Sequence, residues 1–387
     1  MKAFSNSLMI LIVGFAIART MSGVLVNNII EYFDLEGAAQ GYMNSFISMG
    51  TTAAVLSTFA LRWRYKKTTI LIFSGILTVA MMVLTGLSVS FFMLLAVSLV
   101  YGISLGWTDT YTNSCVVDID RESSAKRMSH LQGYYAIGAI IAPLAIAAML
   151  TAQSWKGVYV ILAPFYLLTI IILLFSLSAA TKQDLIKGME SPKFTGKEIG
   201  SFLARKQSVL LIAANMTYYT MQYGLFAWLV RYMSVEYEAE TLGMMSITIM
   251  WVCTAIARFV APKLPIDNMK LHAYGSLIAG GTLLMGIFSG NPWVMCVVIG
   301  VGALTTGNTL PTLINRCVVS YEGNTLLPSS TMFLSMQITG MIVPPVLGAI
   351  AAYSMQGSMV LLGIAILISA VFGFLFMRSK PAAGRAA

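Results

Sequence analysis

The sequence predicts an all-α integral membrane protein of twelve transmembrane helices in two six-helix halves, and three observations carry that prediction. About twelve apolar stretches of 20 or so residues follow one another along the 387-residue chain, joined by short polar loops. Each is long enough to cross a bilayer as a helix, which takes roughly 20 residues. Hydrophobic residues make up 58% of the chain and charged residues 10%, whereas soluble domains carry about 25% charge. The third observation is that the basic residues fall almost entirely on one side.

In chain order the spans lie at approximately 8–30, 39–61, 68–88, 91–116, 128–151, 157–178, 208–230, 241–260, 271–289, 293–317, 326–351 and 358–377. With the N-terminus in the cytoplasm, all but three of the 24 Lys and Arg residues lie inside. Lys156 and Arg231 lie outside, and Arg19 lies within a span. That asymmetry predicts an N-in, C-in orientation and assigns the net charge of +9 to a membrane face, so no nucleic-acid partner is expected. The carboxylates do not follow it, since Glu31, Asp34, Glu36, Glu236, Glu238 and Glu240 sit in outer loops. The first apolar run is too long for a signal h-region and lacks a small-residue cleavage site, so it is expected to remain as the first span. Cys115, Cys253, Cys296 and Cys317 are scattered in or at the ends of spans without metal-ligand spacing and read as small hydrophobes; no metal and no cofactor are expected.

The longest polar interval divides the chain into an N-terminal bundle (1–178), a cytoplasmic linker (179–207) and a C-terminal bundle (208–387). A 6 + 6 plan with a basic linker is how transporters of two parallel repeats are organised. Within the linker, Thr195 to Arg205 has the pattern of a short amphipathic surface helix, or of a solvated loop. Pro143, Pro164, Pro311, Pro344 and Pro345 fall inside spans, where neighbouring helices satisfy the backbone groups that proline frees.

A charge buried in hydrocarbon costs at least about 2.5–3.5 kcal/mol, so an ionisable residue in mid-span is a functional hypothesis by default. Arg19 in the first span and Asp109 in the fourth qualify, at similar depths from the inner side. Three readings follow. The two pair and hold their helices together; or Asp109 binds and releases a proton with Arg19 as its partner; or Arg19 faces an anionic substrate, which its planar fork suits. Polar residues at helical spacing surround these charges: Asp109 and Asn113 in the fourth span; Asn215, Tyr219 and Gln222 in the seventh; Asn308 and Asn315 in the tenth. Asn44, Gln132, Tyr135 and Gln337 are further candidates for a wet cavity, each equally able to make an interhelical hydrogen bond. The seventh span also clusters Tyr218, Tyr219, Tyr223, Phe226, Trp228 and Tyr232. These rings suit stacking on a sugar, and Trp228 and Tyr232 suit an interfacial belt equally well. His130, near an inner end, suits a cytoplasmic-edge hydrogen bond.

These residues resemble the major facilitator superfamily throughout the chain, and within it the branch of fucose, glucose and galactose permeases. Gly106-Trp107-Thr108-Asp109-Thr110-Tyr111-Thr112-Asn113 is similar to that branch's fourth-helix pattern. Arg127, Gln132 and Gly138-Ala139-Ile140-Ile141-Ala142 resemble its fifth helix, and Tyr218, Gln222, Trp228 and Tyr232 its seventh. Pro311-Thr312-Leu313, Gly340, Pro344, Pro345, Gly348 and Arg258 add to the likeness. The resemblance implies a major facilitator fold and a proton-coupling role for Asp109. The chain departs from the pattern in three places: Gln222 replaces the branch's seventh-helix Glu, Gly23 falls near its first-helix acid, and Arg62-Trp63-Arg64-Tyr65-Lys66-Lys67 lacks the usual loop Asp.

The expected function is secondary active transport by alternating access, with proton-coupled uptake of a small polar solute: a sugar, sugar acid or related organic anion. Asp109 and Arg19 would serve proton coupling. Arg19, Asn44, Asn113, Gln132, Tyr135, Tyr218, Tyr219, Gln222, Trp228, Asn308 and Gln337 would serve substrate binding. The alternative is proton-driven efflux of amphiphilic compounds, which the 26 Met residues would suit. An enzyme is not expected. A monomer in the plasma membrane, in a bacterium the inner membrane, is.

Overall fold

The computed structural model describes residues 2–61, 65–119, 124–180, 196–321 and 326–379. Those residues are helical with short connections, and the chain divides into two units, Met1–Met189 with Pro344–Ala349, and Glu190–Val343 with Ile350–Ala387. The N-terminal unit contains α1 (Lys2–Val24), α2 (Val26–Phe33), α3 (Ala39–Leu61), α4 (Lys67–Gly86), α5 (Phe91–Ile119), α6 (Ser124–Leu150) and α7 (Trp155–Ala180). The C-terminal unit contains α8 (Gly196–Leu203), α9 (Lys206–Tyr237), α10 (Glu240–Val260), α11 (Asn268–Phe288), α12 (Pro292–Thr306), α13 (Thr309–Val319), α14 (Leu326–Ala351) apart from its Pro344–Ala349 stretch, and α15 (Met355–Arg378).

Ten candidate spans among the described residues are long and apolar enough to cross a membrane. Helices α3 and α9, at 23 and 32 residues, are long enough as well. They fall short in hydropathy because α3 carries Asn44, Ser45, Ser48, Thr51 and Thr52, and α9 carries Asn215, Thr217, Thr220 and Gln222. A helix that polar is tolerated in a bilayer when its polar face is turned to protein or water.

The same pairing of helices occurs inside each unit. In the first, α3 and α4 both pack on α5, and α1 and α4 both pack on α7; in the second, α10 and α11 pack on α12, and α9 and α11 pack on α15. Such internal repetition is the structural form of a duplicated helical unit. Two expected spans are broken. The first divides at Leu25 between α1 and α2, and the tenth divides at Gly307 and Asn308 between α12 and α13. At the second break Gly307 has poor helix propensity, and Arg258 Nε donates to its carbonyl at 3.3 Å. The amphipathic surface segment forms as α8, with Phe202 buried and Ile199 and Leu203 exposed. The linker residues 181–195 and the loop residues Arg62-Trp63-Arg64 lie outside the described residues.

Side-chain caps explain why several helices of the C-terminal unit start where they do. Asp267 accepts from the Met269 and Lys270 N–H groups at 2.9 and 3.2 Å, opening α11, and the same carboxylate pairs with Arg316. Asn291, just before Pro292, and Ser354 do likewise for α12 and α15. Each satisfies N–H groups that the first turn leaves unbonded.

Close packing of α3 on α5 sets the position of the polar segment that follows on α5. A Cβ at Gly50 would collide with the Leu99 carbonyl, and one at Gly102 with the Ile47 carbonyl. Gly102 and Gly106 form a GxxxG face against Gly50 and Ala54, and Thr51 Oγ1 donates to the Gly102 carbonyl at 3.2 Å. Small residues at this spacing let two helix backbones approach in a medium that gives no hydrophobic drive between them. Gly102→Val is therefore expected to destabilise the protein by about 1–3 kcal/mol through overpacking. Gly281→Ala, where a Cβ meets nothing within 4 Å, is expected to leave the melting temperature unchanged or slightly raised. Thermal unfolding of the two purified variants checks the contrast.

Candidate functional site

Asp109 lies on α5 nearly three turns before the helix ends, half-buried and next along the helix after the glycine face just described. Asn113, one turn further on, donates from Nδ2 to both the Asp109 side-chain Oδ1 at 2.7 Å and the Asp109 carbonyl at 2.8 Å. The hydrogen bond to Oδ1 orients the carboxylate, and hydrogen bonds to a charged group are worth about 1.5–3 kcal/mol. The Asn113 Oδ1 is buried without a partner, which leaves an acceptor beside the carboxylate.

Arg19 on α1 is half-buried in the same unit, and its charge acts on Asp109 less than burial and the Asn113 bond do. No direct ion pair joins the two among the described residues. The segment of α1 that carries Arg19 is tied to α5, because the Tyr101 hydroxyl donates to the Ala18 carbonyl at 2.9 Å. Asn44 on α3 and Gln132 and Tyr135 on α6 are half-buried, and the Tyr135 ring packs on Phe15 of α1 at 6.0 Å between centroids.

Behind Asp109 the interior of the N-terminal unit is lined with hydroxyls. Ser74 and Thr108 share a hydrogen bond at 3.0 Å, and Thr78 donates to Ser104 at 3.0 Å. Tyr101, Tyr159 and Tyr166 are buried in the same unit. Sequence reasoning missed this cluster; the three- and four-residue spacing of Ser98, Tyr101, Ser104 and Thr108 on α5 was the available signal. It also missed His272 on α11, 2% exposed, whose Nδ1 lies 3.3 Å from the Thr309 hydroxyl.

In the C-terminal unit, Tyr218 and Tyr219 on α9 are buried edge to face at 5.0 Å, and Tyr219 packs on Tyr223 at 5.2 Å. The Tyr223 hydroxyl donates to Gln337 Oε1 at 3.2 Å, tying α9 to α14. Gln222 is half-buried, and its Oε1 is buried without a partner. Asn308 stands at the start of α13 and donates from Nδ2 to the Thr312 hydroxyl at 3.3 Å. Gln222 and Tyr218 line a cavity of about 30 Å³ with Thr254 and Thr306.

Three expectations are corrected by the structure. Trp228 and Tyr232 are 1% exposed, and Tyr232 shares a hydrogen bond with Tyr237 at 3.0 Å, so neither belongs to an interfacial belt. Exposed Tyr32 packs on Phe33, Trp155 and Lys156 instead. Asn215 does not face a cavity through its donor: Nδ2 bonds to the Met332 carbonyl and to Ser335 Oγ, each at 2.9 Å. Asn315 on α13 is exposed, so it does not join Asn308 in a cavity lining despite the seven-residue spacing.

The chain belongs to the Major Facilitator Superfamily, whose pattern it matches over residues 8–327. No curated protein matches it. Among solved structures it is similar to a bacterial homologue of the human lysosomal transporter Spinster, in an inward-facing, unoccupied conformation. The TM-score there is 0.76 at 16% identity, covering 98% of each chain. It is also similar to FucP, the fucose:proton symporter of E. coli, in the outward conformation, with a TM-score of 0.65 at 19% identity, covering 97% of this chain and 99% of that one. At such identities the likeness shows the fold.

The hydrogen bonds separate a structural amide from one that serves the site. Asn215→Leu is expected to lower stability by about 1–3 kcal/mol, because it removes a donor from buried acceptors. Asn113→Leu, which removes the donor to the Asp109 carboxylate, is expected to lower stability by a similar amount and also to reduce ligand affinity or transport by at least tenfold, a loss not expected of Asn215→Leu. Melting curves and transport assays on the two variants check that contrast.

Proposed function

We propose that the protein is a proton-coupled secondary active transporter, not an enzyme, that takes up a small polar solute such as a sugar, sugar acid or related organic anion. The observation that carries this reading is Asp109, a carboxylate within a membrane-spanning helix, held by Asn113 and acted on by the charge of Arg19. Asp109 takes and gives up the proton. Arg19 either answers the charge on Asp109 or binds an anionic group of the solute. Substrate or proton binding that changes the balance between these two charges changes which conformation is favoured, and that coupling is what alternating access requires.

The same proposal includes the membrane arrangement. Twelve spans run N-in and C-in, with α3 and α9 as the two least apolar, in a plasma-membrane monomer divided into 1–178, a linker at 179–207, and 208–387. Asn44, Asn113, Gln132, Tyr135, Tyr218, Tyr219, Gln222, Asn308 and Gln337 supply neutral polar groups for the solute. Trp228, buried at its place on α9, acts as packing behind them.

A second reading, export of amphiphilic compounds, is favoured by one observation. The cavity beside Gln222 is walled mainly by apolar side chains, with Met221 and Met250 among them, and methionine adapts to varied ligand shapes.

Thermal-shift screening of neutral sugars, sugar acids, other organic anions and amphiphiles identifies the ligand class, since a ligand of the folded state raises the melting temperature by mass action. An anion whose stabilisation vanishes in Arg19→Ala supports the clamp role of Arg19. With the ligand in hand, Asp109→Asn in proteoliposomes is expected to abolish accumulation against a gradient while exchange across the membrane persists. Undiminished accumulation would remove Asp109 as the coupling site.

A further inference from the structure

The cavity in the C-terminal unit, which Tyr218 and Gln222 help to line, has a lining of mixed polarity. Four helices, α9, α10, α11 and α12, contribute to it. Its α9 residues Tyr218, Met221, Gln222 and Leu225 follow the three- and four-residue spacing of one helix face, and from first to last they rise about 10 Å. Tyr218, Thr254 and Thr306 bring hydroxyls to it, and Leu225, Leu283, Val298 and Ile299 bring apolar side chains.

Among the lining residues is Gln222, whose Oε1 is buried with no hydrogen-bond partner. An orphaned buried acceptor is costly, and a wall of mixed character around it invites a molecule of mixed character. The resting volume of about 30 Å³ holds about two waters, at roughly 10–15 Å³ each. Met221 and Met250 line it, and their unbranched side chains can swing aside to enlarge it.

We infer that this cavity is a binding pocket for a small uncharged amphiphile, a molecule of phenol or short-alkanol size that donates one hydrogen bond to Gln222 Oε1 and lays its apolar body against the leucine, valine and isoleucine wall. It deepens the transport reading by giving the solute an uncharged, partly apolar portion. It rests on that reading only for its consequence in transport, because binding is measured without it.

The test uses the purified full chain in detergent, with 4-fluorophenol as the probe and fluorobenzene as the same ring without a donor. Saturable thermal stabilisation and a saturable ¹⁹F shift by 4-fluorophenol are expected, with fluorobenzene about tenfold weaker. Gly302 offers a clean way to fill the pocket, since a Cβ there meets only the Ala279 Cβ, at 3.7 Å. Gly302→Leu is expected to melt near the wild-type temperature and to lose the saturable response. Gln222→Met keeps the side chain's length, removes the acceptor, and is expected to bind 4-fluorophenol about tenfold more weakly. Absence of any saturable response in the wild type, as from a cavity that holds only water, overturns the inference, and so does equal binding by Gly302→Leu or by Gln222→Met. Asp109→Asn, in the N-terminal unit, is expected to bind the probe as the wild type does. Failure of proton coupling and failure of the pocket are therefore read separately.

Discussion

Two opposite charges held inside one apolar bundle without touching is the constraint on which the rest of the N-terminal unit depends. Each of Arg19 and Asp109 would cost at least about 2.5–3.5 kcal/mol in hydrocarbon, so each must be met by polar groups or by the other's field. Asn113 meets the carboxylate directly, and Tyr101 fastens the α1 segment beside Arg19 to α5. The glycine contact between α3 and α5 then fixes the height at which Asp109 sits. A fully formed buried ion pair would be hard to break and would bring little stability for its desolvation. Charges that interact across a gap remain free to respond to a proton or a solute.

The C-terminal unit repeats the helix pairing of its counterpart but handles polarity differently. Gln222 stands where the permease branch that the chain resembles has an acid, and the polar groups in the middle of α9 (Asn215 to Tyr223) and of α14 (Ser335 to Thr339) are amides and hydroxyls. Tyr223 with Gln337, and Asn215 with Ser335, use theirs to join α9 to α14. Gln222 is left with an unused acceptor beside a mostly apolar cavity. On this account charge is handled in one unit, while shape and hydrogen-bond selectivity are handled in the other.

Much of this was legible in the chain itself. The apolar rhythm, the placing of Arg19 and Asp109, and the four-residue spacing to Asn113 are properties of single helices, and the resemblance on the fourth span points to the family that the full comparison shows. What one helix cannot reveal is which neighbour its side chains meet. Trp228 and Tyr232 have the composition of an interfacial belt, yet tertiary packing buries both. Asn215 shares a face with Gln222 but finds its acceptors on α14. The break at Gly307 and Asn308 also escaped the periodicity, because the apolar run continues through it and only the glycine's low helix propensity marks the place.

The central claim is that Arg19 and Asp109 act as one electrostatic unit, and a double-mutant cycle measures that directly. Arg19→Met, Asp109→Asn and the double variant are compared with the wild type in thermal unfolding at neutral pH. The account predicts that the double variant is more stable than the sum of the single losses implies, with a coupling of about 0.5–3 kcal/mol as for interacting residues. Losses that add within about 0.5 kcal/mol, as for independent sites, would contradict it.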